Sequence, residues 1–405
     1  MRITWVTRSF LDYRIPVYAE LDRLCGHELT LICNGEVVPM RCLEKVRAVL
    51  GDRAVALLGE KRLTGEKMAP VSSVRRRGIR IPLQPGLVKT CRASRPEVCV
   101  SDGFFQWTYA PLWLRLRDRI PHVMCYEPTK HTERNAQWYR TCYRRWVSRW
   151  CDEICCNGSL CAEYCRDVLH IPESKLCFGN MAADSENLAA RCAGIADDEV
   201  EAFRRRCGLT GRKVFLFVGR MVELKGVRHL LEAWAQADMR EAVLLFAGDG
   251  PQRSACEGFC RERGIQAVFA GNIDYDQLPI YYRSADVFII PTLQDNWSLV
   301  VPEAMACGLP VACSIYNGCH PELVHPENGW TFDPLEVNST RQMLHEIISK
   351  TADELKTMGQ ASRNIVAGFT PRRAAEEIYR MCNLAVSCCG NASCCDSAGG
   401  GGNPS

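Results

Sequence analysis

Short apolar segments alternate with helical segments along most of this chain. The first half runs MRITWV, IPVYAELDRLC and ELTLICN, and the second runs KVFLFVG, VRHLLEAWAQA, AVLLFAG and ADVFIIP. Segments such as VFLFV are apolar at nearly every position, which is typical of parallel strands covered by helices on both faces. The alternation predicts repeated βαβ units, and therefore an α/β fold built from doubly wound parallel sheets.

The length of the chain, 405 residues, favours two domains over one core. A polar, helical segment over residues 183–212 separates the strand-like KLCFGN from KVFLFVGR. We therefore predict an N-terminal domain over residues 1–185 and a C-terminal domain over residues 186–369.

The end of the chain changes in composition. Thr370 is a good helix N-cap and Pro371 suits the first helical position, so we predict a closing helix over residues 370–386. Residues 387–405, CCGNASCCDSAGGGGNPS preceded by Ser387, are rich in Cys, Gly and Ser, and we expect them to be disordered.

Cysteine is unusually frequent, with 25 residues. The N-terminus reads as a strand rather than a signal peptide, and we find no apolar run of the roughly 20 residues that cross a membrane, so we expect a cytoplasmic protein with free thiols. One cluster falls within helix and strand patterns, where cysteine acts as a small apolar side chain and a structural zinc is the less favoured alternative. Its members are Cys151, Cys155, Cys156, Cys161 and Cys165. Metal binding is also open for the tail doublets, Cys388, Cys389, Cys394 and Cys395.

Charge is distributed unevenly between the two halves. Residues 1–184 carry 29 Lys and Arg against 20 Asp and Glu, a net +9, whereas the remainder carries 21 against 27, a net −6. A basic first domain suggests an anionic partner, such as a phospholipid surface or a phosphorylated acceptor.

The segment FVGRMVELKGVRHLLEAW places two cations in a strand-to-helix turn. A buried strand ends at Gly219, a helix begins just after Gly226, and Arg220 and Lys225 flank the turn. Glycine lets an anion approach the backbone, and a helix start with nearby cations suits phosphates. Solvated surface charges are the alternative for an isolated Arg and Lys.

A second strand-to-helix segment, PTLQDNWSLVVPEAMACGLPVACS, carries two carboxylates. With a helix starting near Ser298, Asp295 lies in the preceding loop and Glu303 lies more than one turn into the helix. Both then face the carboxyl edge of the sheet, where open α/β sheets bind ligands. Backbone amides expected to point at a negative ligand there are those of Trp297, Ser298 and Leu299.

Together these motifs resemble the nucleotide-binding domain of retaining glycosyltransferases of family four. The similarity runs from Val214 to Pro334 and continues more weakly over most of the first half. It implies the GT-B fold, in which two Rossmann-like domains face each other across a cleft. The segments that carry it are GRMVELKG, FAGDGP, VFAGNIDYDQLPIYYRSADVFIIPT, EAMACGLPV and NGCHPELVHPENGWTFDP.

The resemblance implies a role for each matching residue. Arg220 and Lys225 would bind the donor diphosphate, Glu303 would accept hydrogen bonds from the ribose hydroxyls, and Asp295 would contact the donor sugar. The family usually has glutamate at the position of Asp295 and Phe-Gly at Trp297-Ser298, so the chain departs from the pattern there. The residues that match the backbone presented to the nucleobase are Gly271, Asn272 and Ile273.

The family's chemistry implies a hexosyltransferase that uses a nucleotide sugar and retains configuration, with the leaving phosphate helping to deprotonate the acceptor. No metal or other cofactor is expected. The acceptor would be a glycan or a lipid-linked molecule in cell-surface polysaccharide or glycolipid synthesis, at the inner face of the membrane. The alternatives are an inactive nucleotide-sugar-binding subunit and a GT-B sugar-nucleotide epimerase.

Two loops of the first half are candidates for the acceptor site. Asp12 and Arg14 lie in the loop after the first strand, where ordinary surface residues are the alternative. In HVMCYEPTKHTERNAQW, Glu127 matches the position at which the family often delivers a histidine, and His131 follows. Either could contact the sugar or the acceptor hydroxyl, or cap a helix entrance.

Arginine and aromatic residues are interleaved in AQWYRTCYRRWVSRWCDEI. With RRRGIRI and LWLRLRDRI, this segment favours peripheral contact with an anionic membrane, the alternative being a helix that buries its aromatics while its arginines face water. The sequence contains no recognised nucleic-acid-binding module, so we do not expect nucleic acid as a partner.

Overall fold

The computed structural model describes residues 1–62 and 82–395, with side chains to residue 388. The chain forms two compact units: Met1–Met181 together with the C-terminal helix, and Ala182–Thr370. The junction therefore lies a few residues before the predicted one at 185/186. The helix that starts at Ser185 packs within the second unit, where Cys192 approaches Cys307, which explains why the preceding residues already belong to that unit.

A parallel sheet forms the centre of the first unit. Among the described residues its seven strands lie in the order β3-β2-β1-β6-β7-β8-β9. The order reverses between β1 and β6, which makes this point a topological switch. The strands are β1 (Ile3–Val6), β2 (Leu29–Asn34), β3 (Ala54–Leu57), β6 (Val98–Asp102), β7 (His122–Tyr126), β8 (Glu153–Cys156) and β9 (Leu176–Phe178), and a separate antiparallel pair joins β4 (Lys61–Arg62) and β5 (Pro82–Leu83).

The second unit has its own parallel sheet. Its six strands, counted within the described residues, lie in the order β12-β11-β10-β13-β14-β15, with the switch between β10 and β13. Phe215 of β10 lies opposite Leu244 and Val287, and all three are buried. The strands are β10 (Lys213–Val218), β11 (Ala242–Ala247), β12 (Ala267–Gly271), β13 (Val287–Ile290), β14 (Val311–Ser314) and β15 (Gly329–Phe332).

Helices connect these parallel strands, as βαβ crossovers require. The first unit contains α1 (Ile15–Leu24), α2 (Met40–Leu50), α3 (Leu87–Ala93), α4 (Tyr109–Asp118), α5 (Trp138–Ser148) and α6 (Ser159–Glu163), which continues into a π-helical turn (Tyr164–Val168). The second contains α7 (Ser185–Ala193), α8 (Asp197–Arg206), α9 (Val227–Trp234), α10 (Arg253–Arg263), α11 (Leu278–Arg283), α12 (Val300–Ala306), α13 (His320–Leu323), α14 (Val337–Ser349) and α15 (Ala352–Val366). The last helix is α16 (Pro371–Cys395).

The C-terminal helix returns to the first unit. It starts at Pro371, as predicted, and packs against α1 through small and medium apolar residues such as Ala375, Ile378 and Cys382, which are fully buried. It continues past the predicted end at residue 386 to Cys395, so the expectation of a disordered tail from residue 387 is wrong over this part. Residues 396–405 of the predicted tail lie outside the described residues.

Cysteine behaves as a core residue in both units. Of the 22 cysteines whose side chains are described, 19 are buried, and all 22 are free thiols. This confirms the interpretation of cysteine as a small apolar side chain. No described helix is long and apolar enough to cross a membrane.

Candidate functional site

The carboxyl ends of β10 and β13 define the site in the second unit. These strands are neighbours at the point where the strand order reverses, and open α/β sheets bind ligands at such switch points. The predicted phosphate loop follows β10, and the predicted carboxylate loop follows β13.

Gly226 fixes the phosphate loop against the carboxylate loop. It has a left-handed backbone with φ of 66°, and a Cβ there would lie 1.9 Å from the carbonyl oxygen of Pro291. The carbonyl of Leu224 accepts hydrogen bonds from the amide of Leu293, at 2.8 Å, and from the hydroxyl of Thr292, at 2.9 Å. Only glycine allows this close approach. The approach places the side chain of Lys225 beside the loop that follows β13.

Lys225 and Asp295 form an ion pair at this corner. Lys225 Nζ lies 2.5 Å from Asp295 Oδ2, and the side chains keep 25% and 18% of their exposure. The hydroxyl of Ser298 donates to the same oxygen at 2.6 Å, and the amide of Trp297 donates to Oδ1 at 3.2 Å. The pairing brings together two of the predicted residues. Because ammonium has three donors, Lys225 retains protons for a phosphate oxygen.

The helix after this loop begins later than predicted. The helix α12 starts at Val300 rather than near Ser298. Two of the three amides expected to point at a ligand are engaged within the loop, because that of Trp297 bonds to Asp295 and that of Ser298 bonds to Asn317 Oδ1 at 3.3 Å. Trp297 and Ser298 are also buried, whereas Leu299 is half-buried. Side chains of Asp295 and Asn317 therefore accept the hydrogen bonds that we expected a ligand to accept from these two amides.

Glu303 lies inside α12 and is 9% exposed. One carboxylate oxygen accepts a hydrogen bond from the hydroxyl of Tyr282 at 3.0 Å. Burial raises the pKa of Glu303 to about 7, against the lowering effect of that hydrogen bond, and the charge of Asp184 adds to the rise. Near neutral pH the carboxyl group therefore exchanges readily between a proton acceptor and a proton donor.

The other predicted donor residues lie at the same edge of the sheet. Gly219 follows β10 with φ of 145°, and Arg220, next to it, is exposed. Gly271 ends β12, the outermost strand on that side, with Asn272 exposed and Ile273 half-buried after it. The strand β11 lies between β12, which residues 271–273 follow, and β10, which leads to Lys225.

A buried ion pair occupies the switch point of the first unit. Arg14 is buried, lies 3.4 Å from Asp102 Oδ1, and donates to the carbonyl of Asn180. The indole of Trp5 donates to Asp102 Oδ2 at 3.2 Å, and the Arg14 guanidinium stacks over the same indole at 5.4 Å. Arg14 is thus held in place rather than displayed on a loop.

The remaining acceptor candidates follow two different strands, Asp12 after β1 and Glu127 and His131 after β7. Asp12 pairs with Arg41 at 2.9 Å and with Lys45 at 3.0 Å, and those cations lower its pKa against the effect of burial. Glu127 follows β7 directly and acts electrostatically on Tyr13, whereas His131 is half-buried four residues later. The structure therefore brings Glu127 to the loop that contains Tyr13, and ties Asp12 to α2.

Sequence reasoning missed Asp102 and Tyr282. Asp102 ends the strand VCVSD, so its position at the carboxyl end of a strand was available as a signal. Tyr282 lies on α11 and meets Glu303 only through tertiary packing, for which the sequence offers no signal.

Exposed tryptophans and a buried arginine distinguish the segment around α5. Trp138 is 77% exposed, and Trp146 and Trp150 are also exposed. Arg144 is buried, where it pairs with Glu133 at 2.7 Å and bonds to a tyrosine hydroxyl. The tryptophans and Arg144 therefore depart from a helix that buries its aromatics and exposes its arginines, whereas Tyr143, which packs on the core, and the exposed Arg149 follow that pattern. On α4, within the predicted LWLRLRDRI, Trp113 and Leu116 are exposed, whereas RRRGIRI lies outside the described residues.

Comparison with known proteins shows which family the second unit resembles. Residues 199–365 match the family model described as Glycosyl transferases group 1. This part of the chain is similar to the group 1 glycosyltransferases. Over 244 residues the chain is 28% identical to an uncharacterized glycosyltransferase of Methanocaldococcus jannaschii, a match covering 59% of this chain and 62% of that protein. A 2-deoxystreptamine glucosyltransferase of Streptomyces kanamyceticus is 38% identical over 126 residues, 30% of this chain and 33% of the relative. The chain thus spans less than two thirds of these curated relatives.

Solved structures agree on the GT-B fold. Anabaena HepE in complex with UDP matches with a TM-score of 0.72 and 13% identity, over 95% of this chain and 100% of that one. Sucrose-phosphate synthase from Thermosynechococcus elongatus matches with a TM-score of 0.66 and 16% identity, over 96% and 100% of the two chains. At this identity the likeness shows the fold alone, which confirms the predicted fold class.

Proposed function

We propose that this chain transfers a sugar from a nucleotide-diphosphate sugar to a glycan or lipid-linked acceptor, with retention of configuration. The observation that carries the proposal is the pairing of Lys225 with Asp295 at the switch point of the second sheet, with the buried Glu303 on the helix that follows Asp295. The family match over residues 199–365 supports glycosyl transfer, and the UDP of the HepE complex makes UDP the first nucleotide to test.

The donor would be held through its charged and hydroxyl groups. Lys225 and the exposed Arg220 would neutralise the diphosphate, because each keeps donors for phosphate oxygens. Glu303 would accept from the ribose hydroxyls, Asp295 would contact the sugar, and the backbone of residues 271–273 would meet the base. Catalysis would then rest on positioning and on stabilisation of the leaving charge.

The chemical step breaks the bond between the anomeric carbon and the diphosphate oxygen and forms one from the acceptor oxygen to the same face of that carbon. The acceptor's proton passes to the departing phosphate. Since Lys225 and Arg220 offset the charge of the leaving group, we propose that the step needs no added metal. In the first unit, Asp102 and Glu127 at the carboxyl edge are the groups we assign to the acceptor, and Arg14 would hold Asp102 in position.

A panel of nucleotide sugars tests the proposal. Thermal shift with UDP-, GDP- and ADP-sugars, in the presence of a chelator, should identify one base that stabilises the chain. Turnover is then followed with glycan and lipid-linked acceptors, and the anomeric configuration of the product is read by NMR. Tight donor binding without turnover would favour a binding subunit, and an epimerised nucleotide sugar would favour an epimerase.

The variant Lys225→Ala separates a donor site from a surface charge. We expect it to weaken nucleotide binding at least tenfold, with Lys225→Arg retaining part of the affinity because the charge remains. Lys89→Ala, in the first unit, is the matched control and should leave binding unchanged. Unaltered calorimetric affinity in Lys225→Ala would contradict the assignment of the donor site.

We also propose that the first unit lies on an anionic membrane, at the inner face of the cell membrane, where polysaccharide or glycolipid acceptors are made. Exposed tryptophans suit the interface between headgroups and acyl chains, and the excess of arginine supplies attraction to anionic lipid. The described tryptophans that support this are Trp113, Trp138, Trp146 and Trp150.

Flotation with vesicles tests this surface. The chain should float with phosphatidylglycerol vesicles more than with phosphatidylcholine vesicles, and Trp138→Ser should reduce flotation several-fold. Leu335→Ser, at a residue 52% exposed in the second unit, is the matched control for loss of an exposed apolar side chain. Equal flotation with both lipids, or an equal effect of the two variants, would refute membrane contact through this surface.

A further inference from the structure

Three buried thiols meet in the first unit, away from both switch points. Cys156 ends β8, Cys161 lies on α6, and Cys165 lies on the π-helical turn that continues α6. Their sulfur atoms lie within 4.8 Å of one another, and each side chain is at most 2% exposed. Three thiols on two consecutive elements therefore converge on one point.

The spacing of the sulfurs fits a metal ion. Cys156 Sγ lies 3.9 Å from Cys165 Sγ. An equilateral triangle with that edge has its centre about 2.3 Å from each corner, which is the length of a zinc–thiolate bond. The upper bound of 4.8 Å would place the centre about 2.8 Å away, so the third sulfur needs only a small inward movement.

The local sequence explains why the three converge. Cys161 and Cys165 are four residues apart, so they share one face of the helical segment. The segment starts directly after the strand that ends at Cys156, and Cys161 is anchored by its hydrogen bond to the carbonyl of Tyr126 at 3.3 Å. The other two cysteines of the predicted cluster go elsewhere, because Cys151 approaches His122 and Cys155 approaches Cys177.

A buried guanidinium lies near the thiols. Arg144 is 2% exposed and bonds to the hydroxyl of Tyr164, the residue that precedes Cys165. Metals bind thiolates rather than thiols. A buried guanidinium also offsets part of the negative charge that three thiolates would keep after binding a cation.

An unsatisfied polar side chain adjoins the cluster. Asn157 follows Cys156, is 2% exposed, and neither its Oδ1 nor its Nδ2 has a hydrogen-bond partner among the described residues. Buried amides normally find a partner. Asn157 is therefore a buried amide without an internal partner, one residue along the chain from a thiol of the cluster.

We propose that Cys156, Cys161 and Cys165 bind one soft d¹⁰ cation, Zn²⁺ or Cu⁺, through three thiolates. The ion would tie the end of β8 to α6 and stabilise the first unit without taking part in glycosyl transfer. Thiolate ligands select these two ions over hard cations. A site of three thiolates has a smaller net negative charge with Zn²⁺ than with Cu⁺. Zn²⁺ needs a fourth ligand, whereas three sulfurs complete the coordination of Cu⁺. Separate loading with each ion distinguishes the two.

The experiment uses the full chain with the tail thiols removed by Cys388→Ser, Cys389→Ser, Cys394→Ser and Cys395→Ser, because these would bind the same ions. The reduced protein is equilibrated anaerobically with Zn²⁺ alone or Cu⁺ alone, freed of excess metal, and analysed for metal and protein. We expect one equivalent of one of the two ions. At a hundredfold excess of free ion over its Kd, we expect the unfolding temperature to rise by about 5 °C or more.

Variants locate the ion. Cys156→Ala and Cys165→Ala should each lose the bound equivalent, whereas Cys33→Ala, at an equally buried cysteine of the same unit, should retain it. Failure of the reference protein to retain either ion, or retention by Cys165→Ala, would overturn the proposal.

X-ray absorption of the loaded protein supplies a test that needs no cluster variant. It should show three sulfur neighbours at about 2.3 Å. A shell dominated by nitrogen and oxygen would also overturn the proposal.

Discussion

The hydrogen bond from Tyr282 to Glu303 should set the pH at which the chain binds nucleotide. The carboxylate form of Glu303 is the one that can accept from two ribose hydroxyls. Burial raises its pKa to about 7, and the tyrosine hydroxyl at 3.0 Å opposes that rise. A hydrogen bond to a charged group contributes about 1.5–3 kcal/mol, or about 1–2 pKa units. Tyr282→Phe should therefore raise the pKa of Glu303 further, because the hydrogen bond that lowers it is lost.

The expected affinities follow from the ionised fraction. At pH 7.5, above the pKa of about 7, most of Glu303 is ionised in the natural chain and a smaller fraction in Tyr282→Phe, so the apparent Kd for nucleotide should rise by roughly three- to twenty-five-fold. At pH 9 the difference should shrink to less than twofold, because Glu303 is then mostly ionised in both. Calorimetry with the preferred nucleoside diphosphate across pH 6–9 measures both values.

Controls isolate the hydroxyl. Tyr281→Phe, at the adjacent tyrosine that packs on Phe203 instead, should leave the pH profile unchanged. Glu303→Gln should weaken binding and remove this step from the pH profile. An equal loss of affinity at pH 7.5 and pH 9 in Tyr282→Phe would refute the reasoning, since that loss could not arise from protonation.

Stability should depend on pH through the same group. The pKa of Glu303 in the folded chain lies above its unfolded value, so the folded state binds the proton more tightly and ionisation disfavours folding. The free energy of unfolding should fall by roughly 3 kcal/mol between about pH 4.5 and pH 7 and stay flat above, which Glu303→Gln should abolish. Gly226→Ala should lower the free energy of unfolding in urea by roughly 3 kcal/mol, because its Cβ would meet the Pro291 carbonyl at a left-handed backbone. Gly258→Ala, where nothing lies within 4 Å of the added carbon, should instead raise it by about 0.5–1 kcal/mol, and a loss there would contradict the steric account. Thr351→Ala should cost about 1 kcal/mol through loss of the capping box of α15, measured by thermal unfolding, with Thr357→Ala as the exposed control.

Local chemistry made much of the second unit predictable. A strand ending at Gly219, a helix starting after Gly226 and a carboxylate just before a helix are all properties of adjacent residues. The structure confirms that Asp295 lies in the loop, because the strand's end fixes where the loop begins. Glu303 lies in the helix, but in its first turn rather than more than one turn in as predicted. The start of α12 was wrong by about half a turn, since the loop's own side chains satisfy its amides.

Contacts between distant residues could not be predicted in the same way. The ion pair of Arg14 with Asp102 joins residues 88 apart, and the bond of Tyr282 to Glu303 depends on how α11 and α12 both pack on α7. A polar residue in a loop, such as Asp12, looks like a ligand-binding residue in sequence. In the structure its carboxylate forms ion pairs with one arginine and one lysine of α2. Spacing alone does not distinguish these outcomes, because each depends on which helix face meets the residue.

The departure from the family pattern at Asp295 is consistent with a working donor site. A carboxylate has about four lone-pair positions. Lys225 and Ser298 both donate to Oδ2, and the amide of Trp297 donates to Oδ1. Serine at position 298, where the family usually has glycine, supplies one of these donors and holds the shorter aspartate in place. Counting only the hydrogen bonds from described residues, one lone-pair position of Asp295 Oδ1 is not used. A donor-sugar hydroxyl could occupy it, so the substitution is compatible with binding of a donor sugar.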